Sequence, residues 1–462
     1  MLHQRLVDAL GADAVKTAPE DLRVYAFDAY TEGRLPCAVV LPSNTREVSA
    51  VVKIARDCGE PIVPRGAGTG LCGGAVPVAG GIVVAFARMN RVLAYEPLRR
   101  RACVQPGLIN LDLSHVAARD GLFYAPDPSS QRISTIGGNI ATNAGGPHCL
   151  QYGTTMNHVL ALEIVDDRGD VLITDIDRAG YDLTAAFVGS EGTLGLVTAA
   201  WVRLMREPEA VRVWLATFPD VESASDAVSA IIAAGIVPTA LEMMDAIATR
   251  AVEAAFAAGY PTDAGAVLLI EHAGLDDDMN AYEHEIARIV REHGANSWRA
   301  ARSQAERDAL WAGRKGAAGA MGRIAPNYYL QDVCVRRSVL PEALHAIERI
   351  ARDYKLTMAN VFHAGDGNLH PMICYDKRDK KQVAAVIESG NEILRMAIDL
   401  GGTVSGEHGI GFEKREAMTE IYTTEDLAAM ANVREVFDPR HAFNPEKIFP
   451  AGVRCAEVVP VA

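Results

Sequence analysis

CAVVLPSNTREVSAVVKIARDCGEPIVPRGAGTG (residues 37–70) reads as strand, loop, amphipathic helix, strand and glycine loop. Asn44 or Thr45 is placed to cap the helix, and Val48, Val51, Val52 and Ile54 are spaced to bury one face. PIVPR then delivers the chain into PRGAGTGLCGG (64–74), which contains Gly68-x-Gly70-x-x-Gly73. A nicotinamide-binding turn of that spelling opens directly into a helix. Here AVPVAGGIVVAF (75–86) follows, with Pro77, Gly80 and Gly81, so that reading fails. A P-loop fails for want of Gly-Lys-Ser/Thr. The physical content survives: closely spaced glycines let successive backbone N–H groups converge on an anion, and Arg65 adds charge.

Two more glycine-rich segments lie downstream, TIGGNIATNAGG (135–146) and GSEGTLGLV (189–197), with the proline-bounded APDPSS (125–130) between the first segment and the second. Three such segments in one half of a chain fit a long ligand with a pyrophosphate and an extended ring system. Short β-branched runs dominate residues 80–200. Near 207 the character changes. AVRVWLATF and AVLLIEHAG read as strands; ESASDAVSAIIAAG, DDDMNAYEHEIARIVREHG and a stretch near 303–321 read as helices. This is an α+β pattern, with a ferredoxin-like sheet carrying helices on one face. The expected organisation is a helical lead-in (1–30), a cofactor domain (31–206), a substrate or cap domain (207–430) and a C-terminal segment returning to the cofactor domain (431–462).

Composition narrows the function. The chain has 462 residues, 49% of them apolar, and a net charge of -14. No basic surplus exists to neutralise phosphates, so nucleic acid is excluded as the main partner. None of the eight cysteines forms a Cys-x-x-Cys pair, which removes zinc-ribbon and iron–sulfur patterns. They read as reduced thiols of a cytoplasmic protein. MLHQRLVDALGADAV lacks a signal-peptide core, and no run approaches the ~20 apolar residues of a membrane span. Contact with a membrane is expected only through partners.

The densest chemistry lies in TMANVFHAGDGNLHPMICYD (357–376). Asp366-Gly367 is a preferred pair for a two-residue hairpin turn. Centring the turn there sets His363 opposite His370, with Cβ atoms ~4.5–5.5 Å apart. Asp366 and Asn368 are then placed to orient them. GTVSGEHGIGFEKRE (402–416) adds Glu407 beside His408. Two imidazoles and a carboxylate suit zinc, iron or manganese. Arg314 presents a planar fork that matches a carboxylate.

The order PRGAGTG, QPG, APDPSSQRISTIGGNIATNAGG, YGTT, GSEGTLGLVT resembles the FAD domain of vanillyl-alcohol-oxidase type flavoproteins, across roughly residues 35–450. HAGDGNLH, SGEHGIG and LWAGRKGAAGAMGRIAPNYYLQD (310–332) are similar to the 2-hydroxy-acid dehydrogenases of that family, its glycolate oxidase and D-lactate dehydrogenase group above all. The resemblance implies FAD contacts from Pro64, Arg65, Gly66, Ala67, Gly68, Thr69 and Gly70. It adds Pro126 and Asp127; then Gly137, Gly138, Asn139, Thr142, Asn143, Gly145 and Gly153; then Glu191, Gly192, Gly195 and Val197; and last Asn444. Covalent members often carry a histidine in the first loop. Thr69-Gly70 stands there, and Cys72 is only nearby, so FAD is expected to be non-covalent.

The same resemblance makes His363, His370 and Glu407 metal ligands and His408 the catalytic base, with Arg314 and Lys315 toward the substrate. The expected reaction is oxidation of a small D-2-hydroxy acid to the 2-oxo acid, with hydride passing to flavin. Relatives that take a dicarboxylate have a threonine one turn after the arginine; Ala318 stands here. Glycolate or D-lactate is thereby favoured over D-2-hydroxyglutarate, though Lys315 leaves the latter open. A second departure is NPEK (444–447), where the family has Asn-Pro-Gly-Lys. The expected electron acceptor is a quinone or an electron-transfer protein, including iron–sulfur subunits of a larger complex. A homo-oligomer stays open. A flavin-free metalloenzyme is the rival reading, and the three glycine segments oppose it.

Overall fold

The computed structural model describes residues 2–29 and 33–451. Cys455 and the rest of 452–462 lie outside the described residues. The chain divides into two units: residues 1–145, 154–207 and 407–462 form the first, residues 146–153 and 208–406 the second.

In the first unit, strands Ala38–Val40, Ile82–Ala85 and Ile62–Arg65 are parallel, with Val15–Lys16 antiparallel at one edge. Asn44 caps helix Thr45–Cys58 by accepting from the Glu47 N–H, and Gly59 closes it in the left-handed conformation at φ 71°. Val48, Val51, Val52 and Ile54 are buried, as their spacing requires. Leu6 of helix Leu2–Leu10 joins the same cluster, so the N-terminal helix is part of this unit's core rather than a separate lead-in. A five-stranded antiparallel sheet follows, ordered Val92–Glu96, Arg101–Val104, Leu196–Arg203, Val159–Val165, Val171–Asp175. Val165 and Leu196 pack into the cluster of the parallel sheet, which fuses the two lobes. No helix follows Gly68–Gly73: the chain turns and enters Ile82–Ala85.

The second unit is built on a nine-stranded antiparallel sheet. Ala210–Phe218, Ala266–Gly274, Ala240–Asp245 and Thr357–His363 are consecutive neighbours in it. Strand Ala266–Gly274 is buried from Ala266 to Ala273, which requires cover on both faces. Val213, Leu215, Val267 and Leu269 pack against helices Ala246–Phe256 and Gln304–Lys315. Trp214, Leu268 and Ile270, at the alternate positions, are equally buried. The one-faced expectation is therefore corrected. The helix expected near 303–321 is broken too: Gln304–Lys315 ends at Gly316, and a short turn Ala317–Ala320 follows. A Cβ at Gly316 would strike the Phe256 ring.

The first unit resumes at Glu407, earlier than the expected 431, because Ile410 and Gly411 are tied to it by Glu191.

Candidate active site

In the first unit the three glycine segments meet. Gly66 lies against Thr135 and Gly192 against Pro64, so closely that a methyl group on either glycine would overlap its neighbour. Gly192 also has φ 71°. Thr135 caps helix Ile136–Thr142 by accepting from Gly138 N–H. Thr142 donates its hydroxyl to Gly138 O at 3.2 Å, and Asn143 ends the helix at φ 50°, accepting from Met156 N–H at 2.8 Å. Pro126 and Asn139 are joined by buried Asn110, whose amide donates to Pro126 O and Asn139 Oδ1 at 3.0 Å each. Gly137, Gly138, Asp127, Gly145 and Gly195 belong to the same unit. Val197 instead packs onto the hydrophobic cluster of the five-stranded sheet, and Gly153 closes the short excursion into the second unit. Ala67 and Thr69 flank Gly68; Gly70 O accepts from Ala29 N–H, and Gly73 N–H donates to Asp28 at 2.8 Å. Glycine loops packed this closely on their neighbours fit a phosphate-bearing cofactor.

A buried polar knot closes this unit. The Glu191 carboxylate accepts from Ile410 N–H at 2.7 Å and Gly411 N–H at 2.8 Å. Burial pushes its carboxyl above the usual range despite those donors. The Asn444 amide donates to Gly74 O and Glu191 O at 2.8 and 2.7 Å. Lys447, fully buried, donates to Val76 O at 2.6 Å, and burial lowers its ammonium to about 8. Burial likewise lowers Arg65, which donates to Ala75 O at 3.4 Å. Sequence reading assigned Glu191, Arg65 and Asn444 to FAD; here their polar atoms hold the loops that would surround it. Lys447 and Asn110 were missed because each acts through backbone carbonyls or partners far along the chain.

In the second unit, the loop after Thr357–His363 spans four residues, 364–367, not two. Gly367 N–H donates to His363 O at 3.1 Å, and Gly367 has φ 77°. His363 therefore pairs with Asn368 rather than His370. The difference is two residues, an even number, so His370 keeps the same face as a diagonal neighbour. The two imidazoles are 5.2 Å apart between ring centres, at 84°. His363 Nδ1 lies 2.7 Å from the Glu242 carboxylate, and both groups are buried. A carboxylate on Nδ1 holds the ring in the tautomer that presents Nε2 as a lone pair, the usual arrangement behind a metal-ligating histidine. Arg314 forms a buried ion pair with the same Glu242. The guanidinium that sequence reading gave wholly to substrate is thus partly committed, and its Nε has no partner among the described residues. His370 Nε2 is 3.4 Å from fully buried Asp332. Asp332 also accepts from Ser405 Oγ and Gly406 N–H.

Glu407 and His408 follow Gly406 in the chain. Lys315 sits over the Trp311 ring at 5.6 Å. Ala318 packs against the apolar cluster of the sheet. Asp366 lines a cleft with Arg336 and Arg337, and buried Asn368 supports Gly406. Glu242 and Asp332 were invisible in the sequence, the first within an apolar strand and the second at the end of NYYLQD.

Residues 36–175 match the FAD binding domain, and residues 207–448 match the C-terminal domain of FAD linked oxidases. The chain is 44% identical to glycolate oxidase subunit GlcD of Escherichia coli, over 95% of this chain and 89% of that protein. It is 41% identical to the Bacillus subtilis protein of the same name, over 98% and 97%. Identity to the D-lactate dehydrogenase of Anaerostipes hadrus is 32%, over 89% of each. Among solved structures, 4-ethylphenol oxidase from Gulosibacter chungangensis superposes with a TM-score of 0.79 at 16% identity, over 98% of both chains. p-Cresol methylhydroxylase gives 0.78 at 16%, over 97% of this chain and 96% of that one. These two share the fold, an FAD-binding domain with a second α+β domain. The chain belongs to the FAD linked oxidases, oxidoreductases of the vanillyl-alcohol-oxidase type with FAD as cofactor.

Proposed function

We propose that the protein oxidises a small D-2-hydroxy acid, glycolate or D-lactate, to the 2-oxo acid, with FAD held non-covalently and a divalent metal at the substrate. The observation that carries this reading is the Glu242-oriented His363 beside His370. FAD supplies a hydride acceptor, and zinc, iron or manganese bound by His363, His370 and Glu407 supplies a Lewis acid for the hydroxyl and carboxylate. His408 takes the hydroxyl proton, a role suited to imidazole near neutral pH. Arg314, fixed by Glu242, offers its remaining N–H groups to the substrate carboxylate. Apolar packing at Ala318 leaves a second carboxylate without a partner there, which favours a monocarboxylate.

The relatives named as glycolate oxidase subunits support a place as the flavin subunit of a cytoplasmic complex, passing electrons to a quinone or an iron–sulfur partner. No helix among the described residues is long and apolar enough to cross a membrane.

Metal removal tests the reading. Dialysis against a chelator should leave the flavin spectrum intact and slow anaerobic flavin reduction by the acid at least about a hundredfold. Restoring zinc, manganese or ferrous iron one at a time should recover the rate and name the metal. Full-rate reduction by protein shown to be metal-free would refute the metal's role.

A further inference from the structure

The cleft of the second unit that Asp366 lines with Arg336 and Arg337 has a volume of about 760 Å³. One wall is the segment 334–337, which leaves strand Val333–Cys334. This segment is fixed on two sides. It holds the carbonyls of three successive residues of the histidine loop. Arg337 Nη1 donates to Gly365 O at 3.1 Å, the Cys334 thiol to Asp366 O at 3.6 Å, and Val335 N–H to Gly367 O at 3.0 Å. On the other side Cys334 and Thr403 exchange both backbone hydrogen bonds, at 3.1 and 2.9 Å. Arg336 and Arg337 therefore stand on a backbone with little freedom, which lowers the cost of ordering them around a ligand.

Neither guanidinium is neutralised by the protein. Arg336 is exposed and, among the described residues, has no hydrogen bond or ion pair. Arg337 commits one N–H to Gly365 O, and no carboxylate among the described residues pairs with it. Helices Val221–Ala233 and Lys380–Asp399 end at the cleft, and capping their last carbonyls would be an ordinary task for arginines. Backbone already does it. Ile231 and Ile232 carbonyls accept from Ile236 and Gly235, and those of Ala397 and Ile398 accept from Gly402 and Gly401.

The rest of the lining selects the ligand. Asp366 is its one acid, against two guanidinium groups. Burial pushes the Cys334 thiol up to about 11, so it adds no negative charge at neutral pH. Ser229, Ser338 and Thr403 each bring a hydroxyl with no other side-chain partner among the described residues. Ile232 and Ala233 supply an apolar surface beside them. In a chain of net charge -14, a cleft with a local positive excess draws anions that the remaining surface repels. Its volume is that of a small-molecule site, far more than one inorganic ion fills. A phosphate ester, close to doubly charged at neutral pH, matches two guanidinium forks better than a single carboxylate does.

We infer that this cleft binds a small organic phosphate, with the phosphate held by Arg336, Arg337 and the neighbouring hydroxyls and the organic part laid against Ile232 and Ala233.

The test is calorimetric titration of the FAD-loaded protein in low-salt, phosphate-free buffer, with phenyl phosphate, inorganic phosphate and benzoate as probes. Phenyl phosphate should bind saturably, about fivefold or more tighter than inorganic phosphate, which lacks the apolar part, and than benzoate, which lacks the second charge. Arg336 is exposed, so R336Q should fold as wild type does, and it should weaken phenyl phosphate by about tenfold. R336E, which reverses the charge, should abolish binding. Absence of saturable binding to the wild type would overturn the inference. So would phenyl phosphate affinity unchanged in R336Q and R336E, which would put the probe elsewhere on the protein. Benzoate or inorganic phosphate binding as tightly as phenyl phosphate would overturn the assignment to an organic phosphate.

Discussion

The two units hold functional groups by opposite means. In the first, the grip is on the backbone: the glycine backbone packs against small side chains, Gly66 on Thr135 and Gly192 on Pro64, and carbonyls of Gly74 and Val76 are gathered by Asn444 and Lys447. Its buried charges serve loops. In the second unit, side chains hold side chains. Glu242 and Glu271, planted by strand register, aim two imidazoles and two residues of one helix. A cofactor with many phosphate oxygens needs a surface of N–H groups. A reacting carbon needs a few groups at fixed angles. The difference follows from what each unit must grip.

Breaking the second unit's carboxylate gives the largest expected effect. E242A leaves Arg314 buried without its partner, which should cost about 3–5 kcal/mol of stability in chemical unfolding. E242Q, which retains shape, should fold and instead lose metal affinity by about 10- to 100-fold, measured by metal titration, while FAD content stays at wild-type level. If E242Q lost FAD and kept metal, the separation of tasks between the units would collapse.

The first unit's buried ammonium gives the next effect. Lys447 is lowered from 10.5 to about 8 by burial. Below about 8 both folded and unfolded chains carry the proton, and the full cost of burying the charge is present. Between 8 and 10.5 the unfolded chain keeps the proton and the folded one releases it, so this group makes stability rise with pH. The difference in unfolding free energy between K447M and wild type should therefore shift toward wild type by on the order of 3 kcal/mol across that window. A pH-independent difference would place the lysine's charge outside the fold's energetics.

The smallest effect sharpens the comparison. Asn444, Glu446 and Ile448 have φ of 41°, 61° and 69°, a left-handed run in non-glycine residues. Glu446 stands where the family resemblance of the sequence implies glycine. E446G should stabilise the protein by up to about 1 kcal/mol in thermal unfolding, the relief of left-handed strain less glycine's entropy cost. A loss of stability would mean that the Glu446 side chain, 3.8 Å from Arg415, outweighs the strain.

Legibility in the sequence divides along the same line. The glycine segments could be read because a positive φ or a close backbone approach leaves a local mark on composition. The cap at Asn44 and the buried stripe of Thr45–Cys58 were equally local. The two histidines were placed on one face although the turn was misjudged, since a two-residue error preserves side-chain parity. Glu242, Glu271 and Asp332 left no such mark. Each sits in or beside an apolar strand, and its partners lie 38 to 123 residues away along the chain. His148 follows Gly146-Pro147, and its partner Glu271 lies 123 residues on, so no local pattern marks it. The early return to the first unit at Glu407 depends on Glu191, more than two hundred residues upstream, and no local pattern announces it.

The central claim is best tested by a visible spectrum of the purified protein, followed by addition of glycolate or D-lactate in the absence of air. A flavin band that bleaches on addition of either acid is the expected result, and the faster acid identifies the preferred substrate. A metal-loaded protein whose flavin stays oxidised with both would contradict the claim while leaving the fold in place.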